Sequence, residues 1–202
     1  MAIQLHLSGG SNNTDPKGAL GGARSSTQIT SDTAQNLFDD ITRAETISGK
    51  TEYRCFYVYN PSGSSFTNTR VKISVHPGTS NVSIGGDPAG KGDGQSNGVA
   101  TIVATEDTVP SGVSFIGEAA DTFEVPCGLL NAGESFPIWL KRTAEAGISQ
   151  TVSFTLRIDE DAGTLPSTSF ADNIGWGEHL DLDITTGEGT IGTHTIGFSH
   201  IQ

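Results

Sequence analysis

The stretch that comes nearest to a chemical motif is glycine-rich and runs from Gly85 to Gly92, with the sequence GGDPAGKG. Its spacing approaches the phosphate-binding pattern G-x-x-x-x-G-K-[S/T], in which backbone N–H groups and a lysine hold phosphate while a hydroxyl holds magnesium. Gly92 stands where that hydroxyl is needed, Pro88 removes one N–H, and a loop and strand are predicted where a helix should follow. The pattern therefore favours an exposed loop, and no cofactor is predicted.

Acidic side chains could supply oxygen ligands for calcium, which needs roughly six or more of them converging on one point. None of these residues has the spacing of a calcium-binding loop, although alternate aspartates on a strand point the same way and could share an ion. A solvated acidic face accounts for them without an ion, so no metal site is predicted. The candidates are Asp87, Asp93, the run Asp159–Asp161, Asp181 and Asp183.

Histidines and nucleophiles form no recognisable catalytic pattern. His194 and His200 share one face of a predicted strand but are too far apart to bind one metal, and His6, His76 and His179 are isolated. No G-x-S-x-G or H-E-x-x-H motif occurs, and no Cys/His pair can be assigned. Paired carboxylates of a glycosidase converge only in the fold and stay open. We predict no catalytic residue and a protein that is not an enzyme.

The two cysteines, Cys55 and Cys127, allow either a bridge or two free thiols. Their separation could suit an immunoglobulin-type disulfide, but the tryptophan that packs on such a bridge should follow the first cysteine, and Trp139 follows the second. Two buried free thiols in a reducing cytosol are the favoured interpretation.

Aromatic side chains are concentrated at Tyr53, Phe56, Tyr57 and Tyr59. They could form a sugar-binding platform, but a position in the core or in an interface is the favoured interpretation, because tyrosine is enriched in interface cores.

Charge excludes several classes of partner. The 202 residues contain 11 Lys and Arg against 23 Asp and Glu, a formal net charge of −12. Affinity for nucleic acid comes largely from Lys and Arg on phosphates, and docking on anionic lipid needs the same cations. No apolar run is long enough to span a bilayer, and the N-terminus has no basic and apolar segments of a secretory signal. We expect no nucleic-acid, membrane or small-molecule partner.

Hydrophobic alternation with a period of two predicts the scaffold. Residues 152–158 place Val, Phe, Leu and Ile on one face, and residues 136–141 alternate in the same way. We expect two strands that either pair directly or face each other across a sandwich. Pro137 cannot donate to a ladder, so the first strand should begin near it or lie at an edge.

Other segments extend the all-β pattern. Thr51–Asn60 is apolar on both faces, as in a strand covered on both sides, and Thr42 with Glu45 forms a capping box for one short helix that stops near Gly49. The fold class predicted is an antiparallel β-sandwich, either jelly-roll or immunoglobulin-like, with at most one short helix. Further strands are predicted at Asn36–Ile41, Arg70–His76, Val99–Ala104, Val113–Gly117, Thr122–Val125, Leu180–Ile184 and Thr193–Ile201.

Residues 1–35 differ from the rest, being rich in Gly, Ser, Thr and Asn with few apolar groups. Such composition buries too little to order itself, so we expect an extended N-terminal arm ahead of a β-sandwich domain over residues 36–202. The arm could add a strand to a neighbouring subunit, or wrap its own domain. The side chains expected to meet a partner are Ile3, Leu5, Leu7, Leu20, Arg24 and Ile29.

Four segments together resemble a family of virion structural proteins from tailed bacteriophages: LSGGSNNTDPKGALGG, NLFDDIT, TEYRCFYVYN and FPIWLKRTAEAG, strung over residues 7–147. The resemblance implies a structural part of the particle and carries over no active-site residue. A capsid decoration (cement) protein, clipped onto the major capsid protein and other copies of itself, suits the chain. The protein would be made in the host cytoplasm and reside in the virion.

Two alternatives stay open at this stage. A tail or baseplate structural protein of the same family would look similar in sequence. A carbohydrate-binding β-sandwich module is the alternative from another class.

Overall fold

Two antiparallel sheets make up the fold in the computed structural model, which describes residues 3–30, 36–39, 41–75, 82–93, 97–117, 124–147, 152–159, 170–174, 188–191 and 194–197. The strands within these ranges are β1 (Gln4–Leu7), β2 (Lys50–Tyr59), β3 (Phe66–Val75), β4 (Val82–Gly86), β5 (Ile116–Gly117), β6 (Glu124–Leu130), β7 (Ser135–Ala144), β8 (Val152–Asp159), β9 (Phe170–Ile174), β10 (Glu188–Ile191) and β11 (His194–Gly197). The helices are a 3-10 turn at Pro16–Gly18 and α1 at Arg43–Ser48.

The strand order is β1-β2-β7-β4-β5 in the larger sheet and β6-β3-β8-β9 in the smaller one, with β10 and β11 paired as a separate hairpin. Successive strands often change sheet, so the predicted all-β sandwich is confirmed. Strands β7 and β8 belong to different sheets. Of the two arrangements that the alternation allowed for them, the one across the sandwich is therefore correct.

The centre of the larger sheet is the β2–β7 pair, in register over ten positions from Lys50↔Ala144 to Tyr59↔Ser135. One face of this pair, including Phe56 and Ile138, joins the core between the sheets. The opposite face carries a second buried cluster, so the prediction of a strand covered on both sides is confirmed. Its members are Tyr53, Cys55, Tyr57, Ala100, Val103 and Trp139, with Leu20, Val113 and Phe115 packed against them.

The second cluster is closed by residues 19–22 and 97–115, which we call the outer cover. Its backbone is irregular but well bonded: Val103 N donates to Leu20 O at 3.0 Å and Gly22 N donates to Ala100 O at 3.1 Å. Gly21 has φ +89°, and a Cβ there would lie 1.7 Å from the carbonyl oxygen of Thr101, so only glycine allows this approach. The predicted strand Val99–Ala104 is wrong. Its N–H groups at Ala100, Thr101 and Val103 donate to Tyr57 Oη, Asp87 Oδ2 and Leu20 O, which do not form a strand ladder.

Strand β7 begins at Ser135, two residues before Pro137, which confirms the prediction that the strand begins near this proline. The alternative, an edge position, is wrong, because β7 is flanked by β2 and β4. The Pro137 carbonyl accepts a hydrogen bond from Asp87 N at 3.1 Å, just past Gly86, the last residue of β4. The nitrogen of a strand residue points to the same side as its carbonyl. The missing N–H therefore falls beyond the end of β4, where no ladder bond is lost.

Helix α1 begins as predicted. Thr42 Oγ1 accepts from Glu45 N, the Glu45 carboxylate accepts from Thr42 N, and Gly49 follows at φ 75°. Residues 36–39 do not form the predicted strand; Leu37, Phe38 and Ile41 are instead buried in the core. The strand Arg70–His76 is confirmed within β3, with Val71 and Ile73 buried.

The remaining strand predictions differ from the structure in their bounds. Val113–Gly117 shrinks to the two residues of β5, while the strand predicted at Thr122–Val125 is described as β6 and runs on to Leu130. Strands β4 and β9 were not predicted, and β4 includes Gly85 and Gly86 of the predicted loop. Leu180–Ile184 lies outside the described residues. Thr193–Ile201 is described over β11 alone.

The N-terminal segment does not confirm the extended arm: residues 3–30 pack on their own domain, the alternative that the sequence left open. Strand β1 pairs with β2, and Leu5 and Leu7 are only 1% and 2% exposed. The polar residues that predicted disorder form bonds to the backbone. Asn13 Nδ2 donates to Ser8 O at 2.6 Å, and Gly21 N donates to Ser8 Oγ at 3.1 Å. Such bonds order a segment with few apolar side chains.

The substitution Leu5→Ala should destabilise the isolated monomer by about 2–4 kcal/mol, because it leaves a cavity in a closed core. Gln28→Ala, on the exposed side of the same segment, should change the free energy of unfolding by less than about 0.5 kcal/mol. Urea unfolding of both variants in dilute solution measures this. Equal stabilities would mean that the segment is not packed on its own domain.

Candidate functional site

A cluster of charged side chains lies at one end of the β2–β7 pair, where the apolar face of the sandwich changes to ionic residues. Residues 36–39 and 41–48 cover this end of the core. The outer cover contacts the charged side chains here through Glu106. The side chains involved are Asp39, Glu45, Lys50, Glu52, Arg54, Glu106 and Arg142.

The deepest pair joins Arg142 of β7 to Glu52 of β2, directly opposite in the register. Their side chains are 1% and 2% exposed. Arg142 Nε donates to Glu52 Oε2 at 2.9 Å, and Nη2 donates to the same carboxylate and to Asp39 O at 2.8 Å. The guanidinium carbon lies 4.6 Å from the centre of the Phe38 ring. This pair therefore fastens the segment around Asp39 to the central strands.

Arg54 forms the second layer of the cluster and is fully buried. Its Nη2 donates to Asp39 Oδ1 at 3.1 Å and to Glu106 Oε2 at 2.5 Å, while Nη1 donates to Tyr53 O at 3.1 Å. One guanidinium thus links the closing segment, the central strand and the outer cover.

Lys50 is the third cation of the cluster, beside four carboxylates. Its Nζ contacts carboxylates of Glu45 and Glu106 and lies 3.1 Å from Glu52 Oε1. Burial alone would lower the pKa of Lys50, but hydrogen bonds to Glu106 and Glu45 outweigh it and raise that pKa. Burial alone would raise the pKa of Glu106, but hydrogen bonds from Lys50 and Arg54 lower it to about 2. Lys50 and Glu106 are therefore both charged at neutral pH.

Three carboxylates of the cluster also meet a geometric requirement for a metal site, since Asp39, Glu52 and Glu106 each place one oxygen within 4.8 Å of the others. Their oxygens already accept bonds from Lys50, Arg54 and Arg142. A divalent ion would have to displace Lys50, Arg54 and Arg142 from these oxygens and would bring three cations next to its own charge. The donor set therefore does not fit a metal, and the cluster is structural.

Asp87 forms a second polar centre, beneath the outer cover. Its Oδ2 accepts from Trp139 Nε1 at 2.8 Å and from Thr101 N at 3.0 Å, and its Oδ1 accepts from Ala89 N at 2.8 Å. A buried carboxylate with these donors anchors the cover to β7. It is not arranged as a calcium ligand.

Asp93 and Asp159, the other acidic candidates within the described ranges, do not converge on Asp87. Asp159 pairs with Lys72 at 3.6 Å and with Arg157 at 2.7 Å. Asp93 lies at a β-bridge to Leu129. Asp161, Asp181 and Asp183 lie outside the described residues.

The stretch Gly85–Gly92, which approaches the phosphate-binding pattern, is divided between a strand and a loop. Gly85 and Gly86 belong to β4, and a Cβ at Gly90 would lie 2.3 Å from the Phe136 ring, so that glycine is needed for packing. Lys91 is exposed, as expected for a loop.

Both cysteines and His6 are buried as well. Both cysteines are buried free thiols, as predicted, and burial raises the pKa of each. His6 is buried, and its Nδ1 lies 3.0 Å from Ser25 O; burial lowers its pKa. His76, His179 and His200 lie outside the described residues.

Aromatic side chains provide no sugar platform among the described residues of β2. Tyr53 and Tyr57 lie under the outer cover, and Phe56 lies in the core. Burial raises the pKa of Tyr57 to about 12, and its hydroxyl donates to Gly22 O at 2.6 Å and accepts from Ala100 N at 2.9 Å. The interpretation as core residues is confirmed for these three.

Two open clefts lie on the surface. One, of about 350 Å³, is lined by polar groups around Asn97, Asn131 and Glu134. The other, of about 310 Å³, lies between Phe136, Val125 and Ile116. Glu134 and Ser135 line the first and Asp87 and Ser114 the second, and both carboxylates already accept hydrogen bonds, Glu134 from Asn97 and Asp87 from Trp139.

Exposed apolar side chains are concentrated on the outer cover. Val99, Ile102 and Val109 are 62%, 74% and 62% exposed, on a segment whose neighbouring Ala100 and Val103 are buried. Ile47 on α1 is 65% exposed. These are the large apolar groups that the described part of the chain presents to solvent.

The six residues expected to bind a partner contact their own domain. Ile3, Leu5, Leu7 and Ile29 are in the core. The two others are half-buried: Leu20 packs on the second cluster, and the Arg24 guanidinium lies 3.8 Å from the centre of the Tyr59 ring. The charged cluster was missed as a unit, and Asp87 was singled out only as a possible calcium ligand, because charges on a strand or loop give no sign of partners that come from distant segments.

Comparison with known proteins gives no relative: no family model matches the chain, and no curated protein matches it. Among the described residues, α1 and the 3-10 turn are both far too short to cross a bilayer.

Replacing Arg142 by Met should cost about 3 kcal/mol or more, because the Glu52 carboxylate stays buried with its main partner removed. Arg157→Met removes a half-exposed pair with Asp159 and should cost less than about 1 kcal/mol. Thermal and urea unfolding of both variants measure the contrast. Similar losses in the two would contradict a structural role for the buried pair.

Acid should weaken the cluster through Glu106. Since its pKa is lowered to about 2 in the fold, its contribution is complete above its ordinary pKa and is lost as pH falls toward 2. Water screens this part-exposed side chain, so we expect about 1–2 kcal/mol. The natural protein and Glu106→Gln should differ in free energy of unfolding, and this difference should decrease as the pH falls from about 5 to about 2.5. A difference independent of pH contradicts this.

Proposed function

We propose that this chain is a non-enzymatic structural protein of a tailed-bacteriophage particle, namely a capsid decoration protein that joins neighbouring capsid subunits from outside the shell. The observation that carries the proposal is the outer cover, a rigidly bonded layer that nevertheless exposes Val99, Ile102 and Val109. Exposed apolar groups of this kind mark surfaces that associate with other proteins.

The construction of the cover supports a role in binding without chemistry. Tyr57, Asp87 and the backbone around Leu20 hold it from below, and Glu106 ties it to Arg54. A surface held in place before binding loses little conformational entropy when it binds. The buried carboxylates near the cover are paired with cations and are therefore not available for acid–base chemistry. On this proposal the cover is a contact surface and not the rim of an active site.

Net charge supports a position outside the shell. At −12, the chain would be repelled by packaged DNA, whereas many weak apolar contacts repeated by capsid symmetry add up to firm attachment. The four segments that resemble phage virion proteins point to the same class. Because residues 3–30 lie in their own sheet, attachment is assigned to the cover and not to an N-terminal clip.

Mass spectrometry and imaging of purified particles test the proposal. A decoration protein should be present in a fixed, high ratio to the major capsid protein and should coat the shell. A few copies per particle would instead identify a tail or baseplate component. Absence from the particle, with specific binding of a glycan, would favour the carbohydrate-binding module.

The double variant Ile102→Lys, Val109→Lys should fold normally, because exposed positions tolerate substitution within about 0.5 kcal/mol. It should bind undecorated capsids at least about tenfold more weakly, since lysines would be desolvated against apolar surface. Ile47→Lys, an equally exposed apolar site on α1, is the matched control and should bind normally. Sedimentation with capsids measures both; unaltered binding of the double variant contradicts the assignment of the cover.

A further inference from the structure

Asn97 precedes Gly98, and this is the one Asn-Gly pair in the sequence. Asparagine is thermally labile, and glycine after it offers no side chain to hinder attack by the next backbone nitrogen. The pair lies where the longer segment of the outer cover begins, immediately before Val99 and Ala100.

The native structure holds both groups that such an attack would join, the Asn97 side-chain amide and the Gly98 backbone nitrogen. Asn97 Nδ2 donates to Glu134 Oε1 at 3.0 Å, and Asn97 N donates to the same oxygen at 3.2 Å. Asn97 Oδ1 accepts from Lys91 N at 2.6 Å and from Gly92 N at 3.3 Å. The attacking nitrogen, Gly98 N, donates to Ala89 O at 2.8 Å.

We propose that Asn97–Gly98 is a site of spontaneous deamidation that the native fold keeps closed through Glu134 and Ala89, and that its modification loosens the outer cover. The proposal does not depend on the proposed function.

The reaction needs only water. Gly98 N attacks the side-chain carbonyl carbon of Asn97, the Cγ–Nδ2 bond breaks, and ammonia leaves carrying the amide proton, which gives a succinimide. Water then opens one of the two imide C–N bonds and leaves aspartate or isoaspartate. Attack requires Gly98 N to leave Ala89 O and the Asn97 side chain to turn away from Glu134, so the native rate is set by local opening.

The product cannot restore the native contacts. Aspartate at position 97 would place a second carboxylate about 3 Å from Glu134 in place of an N–H donor, and like charges at that distance repel. Isoaspartate would also lengthen the backbone at the first residue of the cover. Either product weakens the attachment of the segment that carries Ala100 and Val103.

The rate of deamidation tests the closure. The native protein and a synthetic peptide of residues 91–103 are incubated at mildly alkaline pH, and the mass gain of about 1 Da at Asn97 is followed by peptide mapping. We expect the native protein to react at least about tenfold more slowly than the peptide. Glu134→Ala should bring the protein to within about threefold of the peptide, whereas Glu124→Ala, at an exposed pair with Arg70, should not change it.

Hydrogen exchange tests the consequence. In Asn97→Asp, the N–H groups of Ala100 and Val103 should exchange at least about tenfold faster than in the natural protein, with the N–H groups of β2 and β7 unchanged. Equal rates in protein and peptide, no effect of Glu134→Ala, or unaltered exchange in Asn97→Asp would each overturn the proposal.

Discussion

The β2–β7 ladder is the constraint on which the other parts of the structure depend. Its ten paired positions present Phe56 and Ile138 to the core between the sheets and Cys55 and Trp139 to the outer cover. A strand pair that is buried on both faces needs apolar packing partners on each face. The smaller sheet supplies one side, and an irregular layer of backbone supplies the other.

The ionic cluster shows how the open end of this ladder is closed. Arg142 and Arg54 are held among carboxylates from three separate segments, so the segment around Asp39, the strands and the cover can meet in one arrangement only. Buried ion pairs add little net stability compared with apolar packing, but removing one partner is costly. The cluster therefore ties these segments to one another, and its carboxylates are already paired with cations.

Ordering of the N-terminal segment changes how association must be understood. A tail shaped only by neighbouring subunits would make assembly and folding the same event. Here β1 completes the larger sheet, and where it ends, Ala19 O and Glu106 O accept bonds from Cys55 N and Tyr53 N of the next strand. This edge of β2 is thus covered from within the chain beyond the end of β1.

The local sequence pattern was sufficient to predict the elements that depend on residues close together along the chain. Alternation predicted β7 and β8, apolar residues on both faces predicted the double burial of β2, and Thr42 with Glu45 predicted the start of α1. Composition failed for residues 3–30, because Ser8 and Asn13 bond to backbone groups, whereas composition measures only what apolar burial can supply.

By itself, the sequence determined the all-β class, the central strands and the acidic surface, because alternation and charge are properties of short windows. Tertiary structure alone decided the cluster around Arg142, the anchoring of the cover by Asp87 and the closure of Asn97 by Glu134. Each of these joins groups that are tens of residues apart, and no local preference of the chain encodes the distance between them.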